Sequence, residues 1–315
     1  MEAETFLTKY RPRTFAEVLG NSLMISKLEE VVNSNTPPHC YLFTGQPGIG
    51  KTTLARIVAS VLGATVQEMC AAANSSVDDT RKLVEIAGYK PLDGKPTMVI
   101  IDECQNLGGG SAKSKAWQPL LKLTEEPPVW SFFSLCTTDP ETVPVAIKSR
   151  STTVKLNPLK PTEIEDLLTL VCEVEGWVVT DSTFQAIVGA AKGQARLALN
   201  ILQLGHAIAD REQLSQIIAE VESEGSPIVE LCQCLVSGNR NWKRISMILD
   251  KIENEDGLDS QILGYLTNCM TRSEEQQARE VWCLLEAIMQ PRQGWSKKAQ
   301  LAAAVGKICF GNQVF

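Results

Sequence analysis

An α/β domain on a parallel sheet, followed by two all-helical domains, is the architecture this sequence predicts, and three features carry that expectation. The apolar run His39-Cys40-Tyr41-Leu42-Phe43 leads into Gly45-Gln46-Pro47-Gly48-Ile49-Gly50-Lys51-Thr52-Thr53, and residues 53–59 then show helical spacing. A second apolar run, Thr97-Met98-Val99-Ile100-Ile101, ends in Asp102-Glu103. After Pro158-Leu159-Lys160-Pro161 every segment reads as helix and no convincing strand follows.

The first feature is a strand, a glycine loop and a helix in that order, the context a phosphate-binding P-loop requires. Gly45, Gly48 and Gly50 let the backbone turn tightly and approach an anion, while Pro47 and Ile49 fill the variable positions between them. Successive N–H groups and the start of the helix then face the phosphates. Lys51 is placed to neutralise the β- and γ-phosphates, Thr52 to offer a hydroxyl to Mg²⁺, and Thr53 to continue the loop into the helix. ATP and Mg²⁺ are therefore the expected ligands. The second feature is a strand delivering Asp102 to the metal and Glu103 to the attacking water as general base. A third apolar strand, residues 131–136, runs into Thr137-Thr138-Asp139 and sets hydroxyls at a strand's carboxyl end, where ligands of open α/β sheets bind.

Beyond residue 160 the helical pattern divides in two. Residues 162–175 carry Ile164, Leu167, Leu168, Val171 and Cys172 on one face, with Thr162 as expected N-cap and Gly176 as stop. Segments 181–191, 194–205 and 210–223 complete a small helical lid. Gly225-Ser226-Pro227 marks a second boundary, after which segments 227–237, 240–254, 258–271, 274–290 and 295–310 suggest a five-helix domain. The expected domains are 1–160, 161–225 and 226–315.

Composition excludes several classes. At 44% hydrophobic and 21% charged, the 315 residues have the make-up of a soluble globular protein, with no apolar run of membrane-spanning length. Residues 1–10 are too polar for a signal peptide, so a cytoplasmic protein is expected, with no membrane partner. The ten cysteines are scattered, mostly within apolar segments, and none has zinc spacing; they read as reduced core thiols. A net charge of −7 argues that any nucleic-acid contact is local.

Tyr10-Arg11-Pro12 followed by Phe15-Ala16-Glu17-Val18-Leu19-Gly20-Asn21 resembles the opening box of AAA+ clamp-loader ATPases. Residues 137–144 with Ser149-Arg150-Ser151 resemble that family's sensor 1 and Ser-Arg-Cys box, and residues 193–200 its sensor 2 helix. The similarity runs in order through about the first 205 residues and is nearest to bacterial DNA polymerase III gamma/tau and replication factor C small subunits. The resemblance implies an AAA+ ATPase domain, a lid and a collar that holds subunits together. It implies that Tyr10, Arg11, Val18 and Leu19 form the adenine and ribose pocket, that Thr138 is sensor 1, and that Arg196 touches the γ-phosphate from the lid. Arg150 matches the arginine finger, which acts in trans on a neighbour's ATP. For Arg196 an intrachain salt bridge stays open as the alternative. Arg81, Lys113 and Lys115 lie where family members track the DNA backbone.

Gln105 departs from the family box, which usually carries His, Asp or Ala there, and Ser151 replaces the usual cysteine. The zinc module that bacterial gamma/tau subunits carry between the glycine loop and the strand ending in Asp102-Glu103, and a long carboxy-terminal extension, are not found, so the expectation is a minimal loader subunit of viral or mobile-element origin, a phage clamp-loader large subunit working in the host cytoplasm. The implied function is ATP-driven opening of a sliding clamp and its placement on primer–template DNA, within a pentamer of loader subunits. A motor for branch migration or helicase loading, and a largely structural stator, are the competing readings; intact Lys51, Thr52, Asp102 and Glu103 argue against the stator.

Overall fold

The computed structural model describes residues 5–72, 77–92, 94–107, 111–112, 114–208, 210–223, 227–236, 242–250, 252, 258–272, 275–289 and 296–310. The chain divides into two compact units, Met1–Ile218 and Ala219–Phe315.

The first unit begins with α1 (Phe6–Lys9) and α2 (Ser22–Val32), then alternates β1 (Cys40–Thr44), α3 (Lys51–Val61), β2 (Thr65–Cys70), α4 (Val77–Gly88), β3 (Thr97–Asp102), α5 (Gln118–Glu125), β4 (Ser131–Thr137), α6 (Val145–Lys148) and β5 (Thr152–Lys155). The strands form one sheet in the order β2-β3-β4-β1-β5, with every pairing parallel. Strands covered on both faces read as continuous apolar runs, which is why β1, β3 and β4 are visible in the sequence. Their side chains alternate between two cores. Tyr41, Phe43, Met98 and Ile100 pack with Ile25 and Leu28 of α2 and Leu54, Ile57 and Val58 of α3. Leu42, Val99, Ile101 and Phe133 face the other way, onto Ala87, Trp117, Leu120 and Ile147.

β2 and β5 escape the sequence pattern, as do α1, α2, α4, α5 and α6. β2 is an edge strand with only Met69 buried, and β5 has four residues with only Val154 buried. Neither shows an apolar run. α2 likewise has only a narrow buried stripe of Ile25, Leu28 and Val32.

α7 (Pro161–Glu175), α8 (Asp181–Ala191) and α9 (Ala195–Gly205) form the helical part of the same unit, and α10 (Arg211–Ser223) spans the division between units. The start of α7 corrects the expected Thr162 cap: Lys160 is the N-cap and Pro161 the first helical residue. A proline at N1 loses nothing, since that N–H has no intrahelical partner. The Lys160 N–H donates to Glu163 Oε2 at 2.8 Å. Gly176 ends the helix at φ 68°, and the Trp177 N–H reaches back to the Cys172 carbonyl at 2.9 Å.

The second unit holds α11 (Pro227–Val236), α12 (Trp242–Asp250), α13 (Leu258–Arg272), α14 (Glu275–Met289) and α15 (Lys297–Phe310). The stripe Ile228, Leu231, Cys232 and Leu235 is buried in one core with Ile245, Ile262, Leu266, Val281 and Leu301. Burial pushes the Cys232 thiol up to about 12, and that of Cys40 in the sheet up to about 11, so both stay protonated and inert. Cys70 and Cys283 are exposed, against the expectation for the thiols as a set. No helix among the described residues is long and apolar enough to cross a membrane.

Candidate nucleotide site

The carboxyl ends of β1, β3 and β4 meet at one edge of the sheet, because Thr44 pairs with Thr137 and Met98 to Ile101 run beside Phe132 to Leu135. The Gly45 N–H donates to the Thr137 carbonyl at 3.3 Å, extending this register into the glycine loop. Gly45 has φ 148°, and a Cβ there would sit 2.7 Å from the Leu156 carbonyl oxygen, so the loop cannot take a side chain at that point.

Lys51 opens α3 and is 5% exposed. Its ammonium donates to the carbonyls of Gly45 and Gln46, both at 2.9 Å. Burial holds it below the usual lysine range, against an opposing pull from the nearby Glu103 and Asp102 charges. A desolvated cation without a carboxylate hydrogen-bonded to it is a strong site for an anion. Beside it, the Thr52 hydroxyl donates to Asp102 Oδ2 at 2.7 Å, and Asp102 Oδ1 accepts the Glu103 N–H at 2.9 Å. Two hard oxygen groups from α3 and β3 thus share one point, the donor set that Mg²⁺ takes.

Glu103 lies in the left-handed region at φ 52°, an uncommon conformation for a residue with a side chain. Its carboxylate accepts a short hydrogen bond from Gln105 Nε2, which also donates to Thr138 Oγ1 at 2.9 Å. Sequence reasoning noted Gln105 only as a departure, since a bridge between two loops leaves no trace in spacing.

A cavity of about 780 Å³ lies between the amino-terminal segment, the glycine loop and helices α7 and α9. Its lining includes Tyr10, Arg11, Val18, Leu19, Gly48, Ile49, Gly50, Thr53 and Arg196, which brings these expected nucleotide-binding residues together. This size suits a small organic ligand. The start of α9 reaches the loop directly: the Arg196 N–H donates to the Gly48 carbonyl at 3.4 Å, and a Cβ on Gly48 would meet Arg196 Cβ at 3.4 Å. No ion pair to Arg196 occurs among the described residues, so the salt-bridge alternative has no partner there. The Arg11 guanidinium is held below its usual range by burial and then by the charges of Arg56 and Arg196. The Tyr10 hydroxyl donates to Glu175 at 2.6 Å, tying the amino-terminal segment to the end of α7.

Arg150 is elsewhere. It precedes β5, whose Thr152 pairs with Tyr41 near the amino end of β1, and Ser151 Oγ lies 3.1 Å from Cys40 Sγ. The glycine loop leaves β1 at the other end, roughly 10 Å further along at ~3.3 Å per residue. Arg150 donates to the Ala146 carbonyl and pairs with Glu125 Oε1, each at 2.8 Å. Arg81 and Lys115 line a separate cavity of about 470 Å³ between α4 and α5, together with a third cation, Lys122. An exposed lysine on an amphipathic helix gives no signal until the fold groups it with other cations. Lys113 lies outside the described residues.

The DNA polymerase III delta-subunit family matches residues 64–160, and the P-loop domain of the Holliday junction DNA helicase RuvB matches residues 10–108. DNA polymerase III subunit tau/gamma of Haemophilus influenzae is 31% identical over 290 residues, covering 84% of this chain and 41% of that protein. The gamma/tau subunit of Mycobacterium tuberculosis is 33% identical over 220 residues, covering 62% and 37%. The chain thus spans about two-fifths of the length of these bacterial relatives. The replication factor C small subunit of Methanococcus maripaludis is 29% identical over 315 residues, covering 96% of this chain and 98% of that one. Among solved structures, the Holliday junction branch migration motor RuvB of Thermotoga maritima superposes with TM-score 0.53 at 20% identity over 92% of this chain and 94% of its own; that likeness speaks for the fold alone. In its parallel-sheet fold, the order of its nucleotide-binding motifs and these relationships, the chain is similar to the clamp-loader subunits among the AAA+ ATPases.

Proposed function

We propose that this chain is an ATPase subunit of a sliding-clamp loader, and that ATP binding and hydrolysis drive opening of the clamp and its placement on primer–template DNA. The observation that carries the reading is the interlocked edge of Lys51, Thr52, Asp102, Glu103 and Thr138 beneath a lid that touches the glycine loop. The full-length match to a replication factor C small subunit supports the choice of clamp loading over other uses of the fold.

In this reading the Lys51 ammonium exchanges two loop carbonyls for the β- and γ-phosphates of ATP. Thr52 and Asp102 hold Mg²⁺, which when bound neutralises charge on the phosphates. Glu103 orients and deprotonates the attacking water, Thr138 donates to a γ-phosphate oxygen, and Arg196 reaches the same phosphate from the lid. Tyr10, Arg11, Val18 and Leu19 enclose the base and sugar in the larger cavity. Arg150 serves the neighbouring subunit, since the site of its own chain lies at the other end of the sheet. Arg81, Lys115 and Lys122 meet DNA phosphates without reading sequence. Residues 1–160 then act as the ATPase domain, 161–225 as the lid and 226–315 as the collar of a pentameric assembly, in the cytoplasm.

The test is steady-state ATP turnover by the chain with its partner subunits, measured with and without the cognate clamp and primed DNA, with an EDTA control. Clamp and DNA together accelerate turnover, and EDTA abolishes it. No acceleration by either, or closed hexamers that move junctions without a clamp, overturns the reading.

A further inference from the structure

We infer that Gln105 is a positioning residue that yokes the water-activating carboxylate of Glu103 to the hydroxyl of Thr138 through a single side-chain amide. The inference rests on the proposed roles of Glu103 and Thr138. It starts from valence. A primary amide has two N–H donors and one carbonyl with two lone pairs. Gln105 Nε2 spends both donors, one on Glu103 Oε2 and one on Thr138 Oγ1. Gln105 Oε1 lies 2.9 Å from Thr137 Oγ1, whose single proton it shares with the Asp139 carbonyl at the same distance, and it faces the Thr138 N–H at 3.4 Å. The amide orientation follows from its partners: an ionised carboxylate can only accept and a backbone N–H can only donate, so nitrogen must face Glu103 and oxygen Thr138 N.

Two consequences follow for the reacting groups. Thr138 accepts from Gln105, so its own proton is left to donate to a phosphate oxygen. Glu103 is held through one carboxylate oxygen, leaving the other to accept from water. A shift of Thr138 toward a γ-phosphate therefore pulls on the same nitrogen that orients Glu103, and phosphate occupancy and base alignment move together. The surroundings are stiff enough to transmit this: Thr137 is fully buried at the end of β4, Cys104 is fully buried beside Gln105, and Glu103 is fixed at φ 52°. His, Asp or Ala at position 105 could not make this set of two donors and two acceptors.

The test uses the full chain in its assembled complex, with single-turnover hydrolysis of ATP·Mg as one readout and affinity for a fluorescent N-methylanthraniloyl ADP as the other. Gln105→Met slows hydrolysis by about 10- to 100-fold, the scale of a misplaced reacting group, and leaves ADP affinity within about two-fold, since ADP has no γ-phosphate. Thr138→Val slows hydrolysis as well, and the double variant is no slower than the slower single one, because the two act as one unit. If Gln105→Met loses ADP binding, the variant has damaged the fold, and Gln105→Asn, which keeps the amide but is one methylene too short for the bridge, decides by the same criteria. Hydrolysis at the wild-type rate, or penalties of the two substitutions that simply multiply, overturns the inference. Glu103→Gln separates the levels: if it hydrolyses ATP normally, the proposed role of Glu103 fails; if it is inactive while Gln105→Met and Gln105→Asn are not, only the yoke fails.

Discussion

The two ends of the same parallel sheet are built on opposite plans. At the carboxyl end, Lys51, Thr52, Asp102, Glu103, Gln105 and Thr138 are part-buried or buried and joined by hydrogen bonds among themselves and to the loop. At the amino end, the Arg150 side chain is 35% exposed and that of its carboxylate partner, Glu125, 54%. The first arrangement is preorganised: its groups already hold geometry that a triphosphate can use. The second is provisional, because an ion pair in solvent is worth only about 0–1 kcal/mol and yields readily to a better anion. Completeness at one end and availability at the other are what a chain needs if its catalytic site is to wait for a neighbour.

The contrast predicts where damage will be felt. Arg150→Ala is expected to have the largest effect, lowering hydrolysis in the assembled complex by about 10³-fold, the scale of an arginine supplied in trans, while ATP binding by the isolated chain is unchanged. An isolated chain that hydrolyses at the assembled rate would show that the two ends do not cooperate. Lys51→Ala acts at the other end and before chemistry: its affinity for ATP falls by roughly 100-fold, as removal of a buried charge-assisted contact implies. Equilibrium titration with a fluorescent ATP analogue reads this directly, and an unchanged affinity would deny that the carboxyl edge is the phosphate site. Glu125→Gln is the mildest case. Thermal unfolding of the isolated chain should move by less than about 1 kcal/mol, whereas freeing Arg150 should raise the assembled rate by a few-fold; a lowered rate would make Glu125 part of the working site rather than a resting partner.

How far the sequence reveals this depends on the kind of information a residue carries. The glycine loop, β3 with its acidic end and β4 were legible because backbone conformation and double-sided burial leave composition signals at fixed spacing. β2 was not, since an edge strand such as Thr65–Cys70 needs only Met69 to be apolar. The lid helices fall close to their expected ranges, but the start of α7 was misjudged by favouring the hydroxyl of Thr162 over the proline at N1 and the Glu163 carboxylate that satisfies the Lys160 N–H. Side-chain bridges were the least visible. Nothing in the letters around Gln105 says that it spans two loops, that Lys122 joins Arg81 and Lys115, or that Arg150 rests on Glu125. These depend on which residues distant in sequence become neighbours, and a single chain read in one dimension does not contain that except through a family resemblance.

The separation of Arg150 from its own glycine loop has a further geometric result. If the arginine of one copy reaches the phosphates of the next, the contact joins unlike surfaces, and unlike surfaces assemble head to tail. Such a series either closes on itself or stops. Where it stops, one terminal copy keeps phosphates that no arginine approaches, and the opposite terminal copy extends an arginine toward empty solvent. An arc of this kind is therefore short of one finished pocket and marks its own opening, without any subunit having to differ in sequence from the others.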